Sequence, residues 1–181
     1  MTSGITLILT QGGIGVEGML HPETRLQIQI AGYLTQNYPD VIFHSDVGSG
    51  VKLPPHIAKI QAAQNGGRRG YPDMFIAKPR VLVEKVDGTA RVAQIAAGLY
   101  IELKAEGVRV FKRNGEVVAD EHIREQARVL RRLREQGYAA EFGIGYDATI
   151  KIIDEYLGGK DGWRHHSDLS DVDSDDDSNP F

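Results

Sequence analysis

The pentapeptide Tyr100-Ile101-Glu102-Leu103-Lys104 constrains this chain more than any other stretch. Apolar residues predict a strand over Leu99–Leu103. Side chains alternate across a strand, so Glu102 and Lys104 share one face while Ile101 and Leu103 take the other. An acid and a lysine together on a core strand need partners, because charges are seldom buried unless paired or bound to metal. Asp73 follows Pro72 at the head of a second apolar strand, Met74–Ala77, and supplies another carboxylate. Two carboxylates form a sparse oxygen site suited to Mg²⁺, which binds through one or two carboxylates and keeps water and substrate phosphate. A lysine at such a site can orient a water or help remove its proton. Taken singly, Glu-x-Lys also fits an exposed salt bridge, and Pro-Asp a turn.

Two helices carry polar groups where aliphatic ones are expected. His21-Pro22-Glu23 opens a helix that runs to about Asn37, with Pro in the first turn and an acid suited to the helix dipole. On it, Glu23 projects with Leu26, Ile30, Tyr33 and Leu34. The second helix spans about Glu121 to Gln136 and stops at Gly137, a C-cap signal. There Gln126 falls at the centre of the face made by Ile123, Val129, Leu130 and Leu133. Glu23 also serves as a dipole partner and Gln126 as a backbone satisfier in the simplest reading. Together with the strand pair, a shared polar site accounts for both.

The remaining pattern gives strands at Ile5–Leu9, Val41–His44 and Tyr138–Ile144, and hairpins turning at Asp87-Gly88 and Asn114-Gly115. Short helices are expected at Pro55–Gln64 and Asp147–Leu157, the latter capped by Gly158-Gly159. The fold class is α/β (α+β): a mixed central sheet flanked by helices, in αβββαβ order with hairpin insertions. Residues 1–20 form an extension without assigned function, residues 21–159 the domain, and residues 160–181 a disordered, acidic Ser/Asp-rich tail.

Charge divides along the chain. Residues 167–181 hold six aspartates and no base, and the first 166 residues sum to +2. That asymmetry is compatible with nucleic acid. Zero cysteines exclude a thiol nucleophile, Cys-bound zinc and an iron–sulfur cluster. With no membrane-spanning apolar run and no basic leader, the expectation is a cytoplasmic protein without membrane contact, in the bacterial host if phage-encoded.

Gly70-Tyr71-Pro72-Asp73, then Ile101-Glu102-Leu103-Lys104, then Gln126 before Leu133 and Gly137-Tyr138, resemble the PD-(D/E)xK nuclease superfamily, and within it the VRR-NUC branch of stand-alone phage and bacterial nucleases. The leading helix from Pro22-Glu23 through Gln27 and the closing one ending Tyr156-Leu157 fit the same pattern, over about residues 22–158. The gap of 29 residues from Asp73 to Glu102 is longer than in compact members. The resemblance implies a restriction-endonuclease-like core and metal-dependent phosphodiester hydrolysis. Asp73, Glu102 and the Leu103 carbonyl would bind Mg²⁺ or Mn²⁺, with Glu23 completing or extending the shell. Lys104 would position the attacking water, and Gln126 would hold Lys104 or that water. It also implies branched DNA as substrate, cut by a homodimer in the manner of Holliday-junction resolvases, during phage recombination, repair or genome processing.

Arg68 and Arg69, with Lys52 and His44, are candidate phosphate contacts on or near a Gly-rich loop, which also fits a solvated basic loop. Arg124, Arg128, Arg131 and Arg132 form a stripe flanked by Glu121, Glu125 and Glu135, as expected of an ion-paired face rather than a DNA surface. The end Asp175-Asp176-Asp177-Ser178-Asn179-Pro180-Phe181 resembles the acidic, Pro-Phe-ended tip of bacterial single-stranded DNA-binding proteins. It implies docking onto a host replication or repair protein, or shielding of the protein's own basic cleft. Two other classes stay open: a non-catalytic DNA-binding or partner-recruiting module, and a nuclease acting on RNA or simple DNA ends.

Overall fold

Short apolar strands bounded by turn residues pair into a four-stranded mixed sheet, which helices cover on both faces, and into two separate hairpins. The computed structural model describes residues 7–10, 13–16, 20–46, 54–64, 71–86, 89–159 and 162–172. In chain order the elements are β1 (Leu7–Thr10), β2 (Gly13–Val16), α1 (Pro22–Asn37), β3 (Phe43–Ser45) and α2 (Pro55–Gln64). There follow β4 (Met74–Ile76), β5 (Arg80–Val86), β6 (Thr89–Ala96), β7 (Leu99–Lys104), α3 (Glu121–Glu135), β8 (Ala139–Ile144) and α4 (Tyr146–Gly158). The central sheet has the order β3-β4-β7-β8. Its first two pairings are antiparallel, whereas β7 and β8 run parallel, with α3 making the crossover that parallel neighbours require. This is the expected mixed α/β architecture.

Alternation on the strands separates two cores. Met74, Ile76, Leu99, Ile101 and Leu103 face α1 (Leu26, Ile30, Leu34) and α4 (Ile152, Ile153, Tyr156). Tyr100, Ala140 and Phe142 face α3 through Ile123, Ala127 and Leu130, with Val110 and Val117 completing that layer. Because β7 lies between β4 and β8 and is covered on both sides, all six of its residues are buried. The helix α3 begins at Asp120, whose carboxylate accepts the Ile123 N–H at 3.0 Å. It ends at Gly137, which at φ 88° lets the Tyr138 N–H return to the Leu133 carbonyl (3.0 Å).

Three local expectations are corrected. The strand predicted at Val41–His44 lies at Phe43–Ser45, because the Val41 N–H is taken by the Tyr38 carbonyl in the turn that ends α1. The N-terminal strand pairs with Gly13–Val16, which its glycines had disguised. The third correction is larger, since residues 162–172 are not part of a disordered tail. Trp163, Leu169 and Val172 are buried, and Trp163 bridges to Leu82 of β5. The buried Glu141 of β8 accepts the His166 N–H (2.8 Å) and the Ser167 hydroxyl (2.5 Å) and pairs with Arg134 at 2.9 Å. Asp171 accepts the Val117 N–H at 3.0 Å, so this aspartate is an anchor rather than a solvated charge. Composition weighted the Ser/Asp content over the three spaced apolar anchors.

The β5–β6 hairpin forms as expected, Val86 pairing with Thr89 across the turn, while Asp87 and Gly88 themselves lie outside the described residues. Around Asn114-Gly115 there is a tight turn carrying a single Phe111–Val117 bridge.

Candidate active site

The site is built where β4 and β7 run side by side. Met74 pairs with Ile101, so Asp73 and Glu102 are the next residues along and project to the same side of the sheet. Asp73 is fixed from both ends of its residue. Its Oδ2 accepts the Leu103 N–H at 2.8 Å, and its carbonyl accepts the Asp46 N–H at 2.9 Å and the Gln27 side-chain amide at 3.2 Å. Gln27 also donates to the Asp46 carbonyl, so one amide on α1 holds the backbone on both sides of the β3–β4 edge.

Glu102 and Lys104 are 3% and 5% exposed, which rules out the exposed salt bridge that Glu-x-Lys alone would permit. Lys104 Nζ lies 2.9 Å from Glu102 Oε1, and the Gln126 amide donates to the same oxygen. Those two bonds leave Oε2 outside the pair. Gln126 Oε1 is buried without a hydrogen-bond partner. Glu23, on the first turn of α1, approaches Lys104 Nζ at 3.9 Å and His21 at 3.7 Å. All five polar residues that the sequence singles out, Glu23, Asp73, Glu102, Lys104 and Gln126, therefore meet at one place, contributed by four different elements or their ends.

The electrostatics are those of a crowded acidic pocket. Burial, then the neighbouring Asp73 charge, push the Glu102 carboxyl up to about 8, against the lowering influence of Lys104. Among the described residues, no three His, Asp or Glu side chains converge into a metal cluster. Glu23 sits on the lysine side of the pocket. Two carboxylates and a backbone carbonyl are nevertheless a hard-oxygen set of the kind Mg²⁺ accepts, since that ion retains several waters. Lys104 and Gln126 both engage Glu102 Oε1 and the Leu103 N–H engages Asp73, and a divalent cation would offset the charge left on this buried pair of carboxylates. The residues present fit the group.

Of the candidate nucleic-acid contacts, His44 is described. It is exposed on β3, directly across from Phe75 and hence on the side of the sheet that carries the two carboxylates. Lys52, Arg68, Arg69, Asp175, Asp176, Asp177, Pro180 and Phe181 lie outside the described residues. The arginine stripe of α3 is engaged: Arg128 with Glu121 (3.1 Å), Arg131 with Glu135 (3.3 Å) and the Val172 carbonyl. Sequence reasoning did not assign Gln27 or Tyr71 a role. Gln27 is four residues after Glu23, on one helical face with it, and that spacing was the available signal.

No protein-family model matches the chain, and no curated protein does. Among solved structures it is similar to one described as a VRR_NUC domain protein, at 21% identity and a TM-score of 0.44, over 78% of this chain and 90% of that one. A likeness of that extent says nothing of chemistry, which has to come from the residues themselves. Among the described residues no helix is long and apolar enough to cross a membrane.

Proposed function

We propose that this protein is a Mg²⁺- or Mn²⁺-dependent endodeoxyribonuclease that hydrolyses phosphodiester bonds in branched or otherwise structured DNA. In this reading it works as a homodimer in phage or bacterial recombination, repair or genome processing. The observation that carries the proposal is the burial of Asp73, Glu102 and Lys104 on adjacent strands, with Gln126 and Glu23 closing over them.

In this reading Asp73, Glu102 and the Leu103 carbonyl hold the ion. When bound, the ion offsets charge building on the phosphate and lowers the pKa of a nearby water. The chain's own groups do the positioning. The Leu103 N–H fixes Asp73 in one rotamer, and Gln126 does the same for Glu102. Lys104, buried and held by Glu102, presents its ammonium to the attacking water and orients it toward phosphorus. Glu23 balances the lysine's charge from the other side. Water oxygen bonds to phosphorus and gives up one proton to solvent as the bond to the leaving oxygen breaks, and that oxygen takes up a proton from solvent.

Labelled four-way junction, flap, duplex and single-stranded DNA, and a matching RNA, test the proposal, each with Mg²⁺, Mn²⁺ or chelator. Metal-dependent cutting of branched DNA, lost in Asp73→Ala, is the expected result. Binding without cutting under either metal would overturn it in favour of a non-catalytic module.

A further inference from the structure

The pocket described above continues into an aromatic surface. On the same side of the sheet, two pairs back along the strands from Asp73 and Glu102, Phe75 stands opposite Tyr100. Their rings are 4.5 Å apart, and Tyr138 adds an edge contact to Tyr100 at 5.2 Å. These three rings pack with the α3 core. A fourth ring, Tyr71, lies edge-on to Tyr100 at 5.7 Å but is 52% exposed.

A single exposed aromatic is ordinary. Tyr71 differs in its orientation. An exposed tyrosine normally keeps its hydroxyl in water and its ring against the protein. Here the hydroxyl is bonded to the Tyr100 hydroxyl at 3.1 Å, while half of the residue stays open to solvent. The ring is thus pinned in one orientation two residues before Asp73, at most about 7 Å of chain away. It also shares its side of the sheet with the exposed His44, across from Phe75.

We infer that Tyr71 is a base-stacking platform, seated on Tyr100, that receives an unpaired nucleotide next to the phosphate held by Asp73 and Glu102. The inference rests on the reading of those two carboxylates as a phosphate-binding centre and deepens it. A base reaches a protein ring only when it has left the duplex stack. The substrate class is therefore a strand with unpaired nucleotides at the cut, as in a fork, flap or junction, rather than uninterrupted duplex. Tyr71 is a positioning residue, since the chemistry belongs to its neighbours.

The full-length protein, with Ca²⁺ in place of Mg²⁺, is titrated into labelled single-stranded, forked and blunt duplex DNA, read by fluorescence anisotropy. The single-stranded portions carry 2-aminopurine. Tyr71→Ala weakens binding of the single-stranded and forked DNA by about ten-fold, within the range an aromatic–base stack sustains, and leaves blunt duplex within about two-fold. Tyr71→Phe, which keeps the ring, stays within about two-fold of the parent on every DNA. The 2-aminopurine signal is quenched by the parent and Tyr71→Phe but not by Tyr71→Ala.

Equal losses on all three DNAs, no loss on any, or a Tyr71→Phe defect matching that of Tyr71→Ala would each overturn the inference. Failure of the parent to bind unpaired DNA would do the same. The nuclease reading is judged separately, by cutting in Mg²⁺: cutting with no Tyr71 effect overturns the platform alone, and no cutting overturns the nuclease.

Discussion

Glu102 and Lys104 are two residues apart on β7, and both are buried. Glu102 is driven toward its protonated form, with its carboxyl pushed up to about 8 by burial and by Asp73. A divalent ion needs the carboxylate, so binding releases a proton. Affinity for Mg²⁺ or Mn²⁺ is therefore weaker at pH 6 than at pH 9, falling steadily below about 8 and levelling off above it, and calorimetry in buffers of different ionisation enthalpy reads the released proton. Without metal, the protonated carboxyl favours the folded state. That contribution is complete below the ordinary carboxylate range and is lost as pH rises through about 8, so thermal stability in chelator falls across that interval. The residues of this site were legible because each breaks an apolar pattern: Glu102 and Lys104 on a core strand, Gln126 on a core helix face. Gln27 and Tyr71 were not, since a glutamine on a helix and a tyrosine before a proline break nothing. Their roles arise from the Asp73 carbonyl and the Tyr100 hydroxyl, which only the fold brings near.

The helix α1 contributes more than a covering layer. Gln27 is the brace of the β3–β4 edge, bonded to the carbonyls of both Asp46 and Asp73. Gln27→Leu leaves two partly buried carbonyls short of a donor. It lowers stability by about 1–3 kcal/mol in denaturant titration and lowers cleavage further than that loss explains, because Asp73 is then held only by the Leu103 and Asp46 N–H groups. Asp120→Ala, at the start of α3, costs about 1 kcal/mol through the lost cap and leaves the site's pH dependence unchanged, which separates support from chemistry. Elements were legible in the sequence wherever periodicity and punctuation agreed, as for α3 between Asp120 and Gly137. They slipped where turn bonds compete for the chain, as at Val41, and where glycine masks a strand, as at Gly13–Val16.

Across the whole molecule, residues 162–172 of the C-terminal region are structural, fastened to β8 by Glu141 and to the second core by Leu169 and Val172. Burial works against ionisation of Glu141, yet His165, Arg134 and Ser167 hold its carboxyl below the ordinary range. A chain ending at Gly159 loses the buried Trp163, Leu169 and Val172 and melts well below the full chain. Glu141→Ala, which strands a buried Arg134, costs about 3–5 kcal/mol in the same assay. The charge asymmetry was legible in the sequence, but the anchoring of residues 162–172 was not. Three apolar residues, Trp163, Leu169 and Val172, decide it, through contacts with elements far away in sequence.

The most direct test of the central claim is single-turnover cleavage of a branched DNA in Mg²⁺ by the parent protein and by Lys104→Ala, with DNA affinity measured alongside. The expected result is a loss of at least about 10²-fold in rate with affinity held within about two-fold, as when a group that orients the attacking water is removed. Cutting by Lys104→Ala at the parent rate would contradict it.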